Sequence, residues 1–206
     1  MNKIKLTYFD FDGGRAEPIR IALSIGGIAF EDRRLSFSEF SGMRSGTPLN
    51  ALPIVEIDGV VYTQSNAMSR YFGKLAGLYP EDPWQAFLCD EALGIVEDAF
   101  HAFGRTLGMK GDELKAARQE LTQGMYARCL TLLDRRLSEA GGEYFADHRL
   151  TVADLKVFLW VKRLKSGGQD HVPADLPDKL ATGLVAHMTR VARAPGVVAY
   201  YDGRNK

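Results

Sequence analysis

The pattern of apolar and polar positions along the chain changes character once. Up to about residue 77, short strand-like runs trade places with short helical ones. Residues 3–9 (KIKLTYF) alternate as a half-buried strand does. Residues 10–14 (DFDGG) are turn chemistry. A helix over 15–25 follows, with Pro18 in its first turn, where a missing N–H leaves no bond unmade. Gly26-Gly27 ends it. A second strand over 28–35 after that helix implies a β-α-β unit. The polar link 36–49 predicts irregular chain with one helical turn near 39–43. Runs 54–57 and 60–62 flank Asp58-Gly59, a hairpin signal because Gly supplies the positive φ of a two-residue turn. A helix over 67–75 closes this part.

Beyond a linker with Pro80 and Pro83, every long segment has helical period. Trp84, Phe87, Ile95, Phe100 and Phe103 fall on one pattern, and Leu114, Leu121 and Leu132 on another across 112–140. Gly141-Gly142 breaks the second helix. Thr151-Val152-Ala153-Asp154 is a capping-box-like start, with Asp in the usual place of Glu, for a helix running to about Lys165. A last helix is predicted near 178–193, ended by Pro195-Gly196 and leaving a short tail. The expectation is an α/β domain over 1–79 joined to an all-α domain over 84–206.

Composition narrows the function classes. Lys plus Arg and Asp plus Glu both number 26 in 206 residues, so no overall basic field draws nucleic acid or anionic lipid. The two cysteines, Cys89 and Cys129, fit neither a disulfide framework nor a zinc site. They predict buried, inert thiols in a reducing compartment. The histidines show no metal-ligand spacing. With no charged-then-apolar leader and no apolar run near ~20 residues, the expected setting is the cytoplasm, without a membrane partner.

Candidate chemistry gathers around the hairpin. The helix start near Thr63-Gln64-Ser65-Asn66 offers backbone N–H groups and a positive dipole end, which suit a carboxylate or phosphate. Equally, Ser65 or Asn66 caps its own helix. Pro53 marks a strand edge, a bulge or a cis bond, and its neighbours offer backbone groups to an extended peptide. Tyr8 is either a strand aromatic or a hydroxyl donor, and Arg15 either a solvated charge or the donor's cationic neighbour.

These stretches, taken in order, resemble the cytosolic glutathione transferases of the tyrosine type, the sigma class in particular. TYFDFDGGRAEPIR, LPIVEIDG, TQSNAMSRYFGKLAGLYP and LTVADLKVF carry the resemblance across essentially the whole chain. It implies a thioredoxin-like N-terminal domain, 1–79, that binds glutathione, and an all-helical domain, 84–206, contributing a hydrophobic cleft. It also implies that Pro53 is cis and that the Leu52 backbone pairs with the cysteinyl part of glutathione. Gln64 and Ser65 would hold the γ-glutamyl carboxylate, with Phe40 and Arg44 beside the glycyl carboxylate. Asp98 would reach the γ-glutamyl amine of a second subunit in a homodimer. Tyr8 and Arg15 would favour the thiolate, the reactive form of a thiol that is mostly protonated at neutral pH. Phe9, Gly13, Phe100 and Phe103 would border the cleft for a hydrophobic electrophile, the last two being equally readable as helix core. Glutathione is then a co-substrate, and no metal is implied.

Three departures stand out against that family. Ala51 replaces a usual Gln or Lys, Phe40 replaces a usual Trp and lacks its N–H, and the 10–14 turn is a residue longer than in close relatives. No cysteine precedes Cys89, so a cysteine-type transferase has no nucleophile here. The implied activity is conjugation of glutathione to hydrophobic electrophiles, as in detoxification. The alternatives are a non-catalytic, crystallin-like or ligand-carrying protein on the same fold, or a glutathione-dependent prostaglandin isomerase.

Overall fold

A computed structural model describes residues 3–204. Of these, residues 3–79 form one compact unit with the segment 195–204, and residues 80–194 form another. The sequence expectation had placed that last segment with the helices.

In the first unit, β1 (Ile4–Phe9), β2 (Glu31–Leu35), β3 (Ile54–Ile57) and β4 (Val60–Tyr62) make one sheet in the order β2-β1-β3-β4. β1 runs parallel to β2, with Tyr8 opposite Arg34, and antiparallel to β3, with Thr7 opposite Ile54. Its central place explains its near-continuous burial, and Ile4, Leu6 and Tyr8 share a core with Ile19, Leu23, Met68 and Phe72. β2, EDRRL, is a charged edge, and charge at an edge discourages pairing with other chains. Helix α1 (Glu17–Ile25) follows β1, with Pro18 in its first turn as expected. Asp58 and Gly59 both have positive φ, +51° and +87°, as the hairpin turn demands.

The polar link is more ordered than its sequence suggested. Ser36 and Glu39 form a reciprocal capping box that starts α2 (Phe37–Met43). The Ser36 N–H donates to the Glu39 carboxylate at 2.7 Å, and the Glu39 N–H donates to Ser36 Oγ at 3.2 Å. Two 3₁₀ turns, Arg44–Gly46 and Pro48–Asn50, carry the chain on to β3. Helix α3 (Ser65–Leu75) begins two residues earlier than its composition predicts.

In the second unit, α4 (Pro83–Gly104) is capped by Asp82. The helix expected over 112–140 is divided into α5 (Gly111–Leu121) and α6 (Ala127–Glu139) by a π-helical turn, Thr122–Tyr126. Helix α7 (Val152–Lys165) is buried at every residue from Val152 to Val161, as the central helix of a bundle must be. Its cap is tied to the core. The Asp154 carboxylate accepts from the Thr151 N–H at 2.8 Å and the Phe145 N–H at 3.0 Å, and it meets His187 Nε2 at 2.9 Å.

The predicted 178–193 helix is two, α8 (Leu176–Leu180) and α9 (Thr182–Ala192), parted at Ala181, whose backbone (φ −155°, ψ 62°) is not helical. Pro195-Gly196 does not leave a tail. It opens α10 (Pro195–Arg204), because proline is well suited to a helix's first turn even as it bars continuation of the helix before it. Gly196 lets α10 lie close on α1, since a methyl there would fall 2.7 Å from Ile25 Cγ1. Among the described residues no helix is long and apolar enough to cross a membrane.

Candidate functional site

The turn from β1 into α1 is built around the Tyr8 hydroxyl. Tyr8 is buried, and its Oη accepts a hydrogen bond from the Arg15 backbone N–H at 3.3 Å. A phenol oxygen held by such a donor keeps its own proton for an acceptor of its choosing. Gly14, at φ +64°, passes so close that a methyl would lie 2.8 Å from Tyr8 Oη. Glycine is thus required twice there, for the left-handed backbone and for the space. Gly13, at φ +105°, completes the turn. Sequence reasoning placed Gly13 at the cleft and passed over Gly14, because the contact that makes Gly14 irreplaceable is tertiary.

Aromatic rings surround this turn. Phe9 stands edge-on to Tyr8 at 5.2 Å and to Phe40 at 5.3 Å, and Phe37 lies 4.6 Å from Phe9. Phe11 meets the Tyr8 ring at 5.6 Å. The sequence reading assigns Phe9 to the electrophile cleft and Phe40 to glutathione, and the structure makes them neighbours. The Arg20 guanidinium lies 6.0 Å from the centre of the Tyr8 ring, a cationic neighbour that no motif singles out.

Leu52 and Pro53 sit just beyond the first paired residue of β3, Ile54, and the Leu52–Pro53 bond is cis. Of the isomers left open by the residues, this is the one the resemblance implied. Leu52 packs on the same core as Tyr8. Arg44, exposed, donates from Nε to the Asn50 carbonyl at 3.2 Å and so pins the loop leading to Ala51.

At the start of α3, the capping position belongs to Gln64, whose own side chain makes no capping bond. Gln64 holds φ +78° and ψ +98°, a conformation costing a non-glycine residue about 1–3 kcal/mol and found mostly at ligand sites. Ser65 is buried as the first helical residue.

Asp98, Phe100 and Phe103 all stand on α4 in the second unit. Asp98 is exposed, and the two rings are half-buried. Lys156 Nζ lies 5.7 Å from the centre of Phe100 and 2.7 Å from Glu97 Oε2. The Arg118 guanidinium stacks on Phe103 at 3.8 Å. Cys89 and Cys129 are buried, as expected.

Comparison with known proteins bears on what this arrangement is. Residues 97–204 match the family model described as the glutathione S-transferase, C-terminal domain. Glutathione S-transferase 1 of Ascaris suum is 30% identical over 76% of this chain and 78% of its own. The hematopoietic prostaglandin D synthase of Gallus gallus is 30% identical over 100% of this chain and 98% of its own. The structure of a Fasciola hepatica sigma class GST superposes with a TM-score of 0.82, at 25% identity over 100% of this chain and 98% of that one. The mixed sheet with its flanking helices is accordingly a thioredoxin-like domain, and the remaining helices are the family's second domain. Matched over more than half its length by the family model and over all of it by a relative, the chain belongs to the glutathione transferases.

Proposed function

We propose that this enzyme ionises glutathione and adds the thiolate to hydrophobic electrophiles. The observation that carries the proposal is the Tyr8 hydroxyl, buried at the end of β1 and held by the Arg15 N–H. A hydroxyl donating to sulfur stabilises the thiolate over the thiol, and each pKa unit so gained corresponds to about 1.4 kcal/mol. The Arg15 guanidinium adds charge to the same end. The Leu52 backbone, beyond the end of the β3 ladder, pairs with the cysteinyl part. Gln64 and Ser65, at the start of α3 where backbone N–H groups favour an anion, hold the γ-glutamyl carboxylate. Phe40 and Arg44 take the glycyl end, and Asp98 reaches the γ-glutamyl amine of a partner subunit. Phe9 and Gly13 border the electrophile.

In this proposal the enzyme is a sigma-class homodimer of the cytoplasm with a detoxifying role. Support for association comes from apolar surface. Val60, Tyr62, Tyr71 and Leu75 are exposed on the first unit, beside a groove of about 570 Å³ between the hairpin and α3, and a contiguous apolar patch of this kind suits a partner surface. The full-length match to a prostaglandin D synthase favours a second use of the same thiolate, isomerisation of a prostaglandin precursor.

The test is the ultraviolet absorbance of the thiolate of bound glutathione as a function of pH, in wild type and Tyr8→Phe. The expected result is a lowered thiol pKa in wild type that is lost in the mutant. Conjugation should then fall roughly 10²-fold, as on removal of one oxyanion donor. Binding without a lowered pKa would overturn the catalytic proposal in favour of a carrier.

A further inference from the structure

Glu17 and Arg20 are fully buried on the first turns of α1. Arg20 Nη1 donates to Glu17 Oε2 at 3.0 Å, and Arg20 Nε donates to Asp32 Oδ1 at 2.9 Å. The other carboxylate oxygen, Glu17 Oε1, takes its donors from the far end of the chain. Tyr200 Oη donates to it at 3.1 Å and Arg204 Nη1 at 3.2 Å, both from α10. The same Arg204 nitrogen also donates to Asp12 Oδ1. A buried carboxylate is costly unless its oxygens are paired. Glu17 therefore specifies where α10 docks.

Asp12 and Glu17 bracket the turn that sets Tyr8. Between them lie Gly13 and Gly14, both at positive φ, and Arg15, whose N–H donates to Tyr8 Oη. Paired glycines leave a backbone many conformations of similar energy, so the place of the Arg15 N–H is not fixed by the turn alone. Across β2, Arg34 reaches Asp10 at 3.4 Å and Asp12 at 3.8 Å, but its closest partner is Asp32 at 2.8 Å. Arg204 binds both flanks of the bracket.

We propose that Arg204, supported by Tyr200, is a positioning residue for the Tyr8 hydroxyl. By gripping Asp12 and Glu17 together it holds the Arg15 N–H against the Tyr8 oxygen. Its catalytic consequence rests on the glutathione-activating role of Tyr8. Helix α10, on this view, is a working part of a site whose Tyr8 turn lies near the opposite end of the sequence.

The experiment uses the full-length protein with Arg204→Met, Arg204→Lys and Asp12→Asn. Two quantities are read: the thiol pKa of bound glutathione, and, without glutathione, the ionisation of Tyr8 by tyrosinate difference absorbance against Tyr8→Phe in each background. Arg204→Met should raise both by about one unit and lower kcat about tenfold at neutral pH, with the loss regained at higher pH. Arg204→Lys should restore most of it. Asp12 is exposed, so its substitution leaves the fold intact and separates position from charge. Removing an acid would by charge alone lower the Tyr8 pKa, whereas a loosened bracket raises it. Unchanged values in Arg204→Met, or a fall in Asp12→Asn, would overturn the inference. A wild type that does not lower the thiol pKa would instead overturn the glutathione proposal, and the Tyr8 titration would still decide whether the bracket exists.

Discussion

Two stretches of the first unit face the same proposed ligand and are held in place by opposite means. The stretch from Leu52 to Ser65 carries its distinctive features in the backbone: a cis Leu52–Pro53 bond, a two-residue hairpin turn and a Gln64 at positive φ. The turn from Tyr8 to Glu17 is held from afar, by Arg34 across the sheet and by Tyr200 and Arg204 from the last helix. The contrast teaches that a site can be half motif and half tertiary assembly. Damage to the first half should read out as affinity, and damage to the second as reactivity.

The sharpest way to break this contrast is Gly14→Ala. A methyl 2.8 Å from Tyr8 Oη, on a backbone at φ +64°, forces the hydroxyl or the turn to move. Steady-state kinetics should show kcat/KM down by about 10²-fold, with most of the loss in kcat, as for the loss of a transition-state donor. A variant that lost only affinity would erase the distinction between the two stretches.

Ser65→Ala should do the reverse. Titration of glutathione is expected to show binding weaker by about tenfold, or ~1.4 kcal/mol, while kcat at saturation holds. Gln64→Gly sharpens the point further, because it relaxes a strained backbone while removing a ligand group. Thermal unfolding should show stability unchanged or raised by up to about 1 kcal/mol, together with weaker glutathione binding. A strained residue whose relief cost nothing in affinity would have no functional reason for its conformation.

The smallest effect, a control outside both stretches, concerns the thiols. Burial pushes Cys89 up to about 12 and Cys129 up to about 11, from an ordinary 9.0. Below pH 9 both should resist alkylation in the folded protein, with activity unchanged, as mass spectrometry after iodoacetamide would show. Above that pH the unfolded chain releases thiol protons that the folded chain retains. Stability contributed by these groups is therefore complete below about pH 9 and falls as pH rises toward 11–12, which unfolding midpoints across that range would register.

Much of this was legible in the amino-acid sequence, and the physical reason is locality. Asp58-Gly59 forces its hairpin, Thr151 and Asp154 start the central helix, and Pro18 and Gly26 bound α1, because each acts within a turn or two of itself. The resemblance carried by the motifs supplied the family. The chain alone did not determine whether a proline stops a helix or starts one, as Pro195 shows by opening α10. Nor did it reveal the π turn dividing α5 from α6, since apolar period continues unbroken through such a turn. Tertiary structure also decided that Gly14 is indispensable beside Tyr8. It alone tied Arg204 to Glu17, because a buried carboxylate selects its partners by distance in space and is indifferent to the number of residues between.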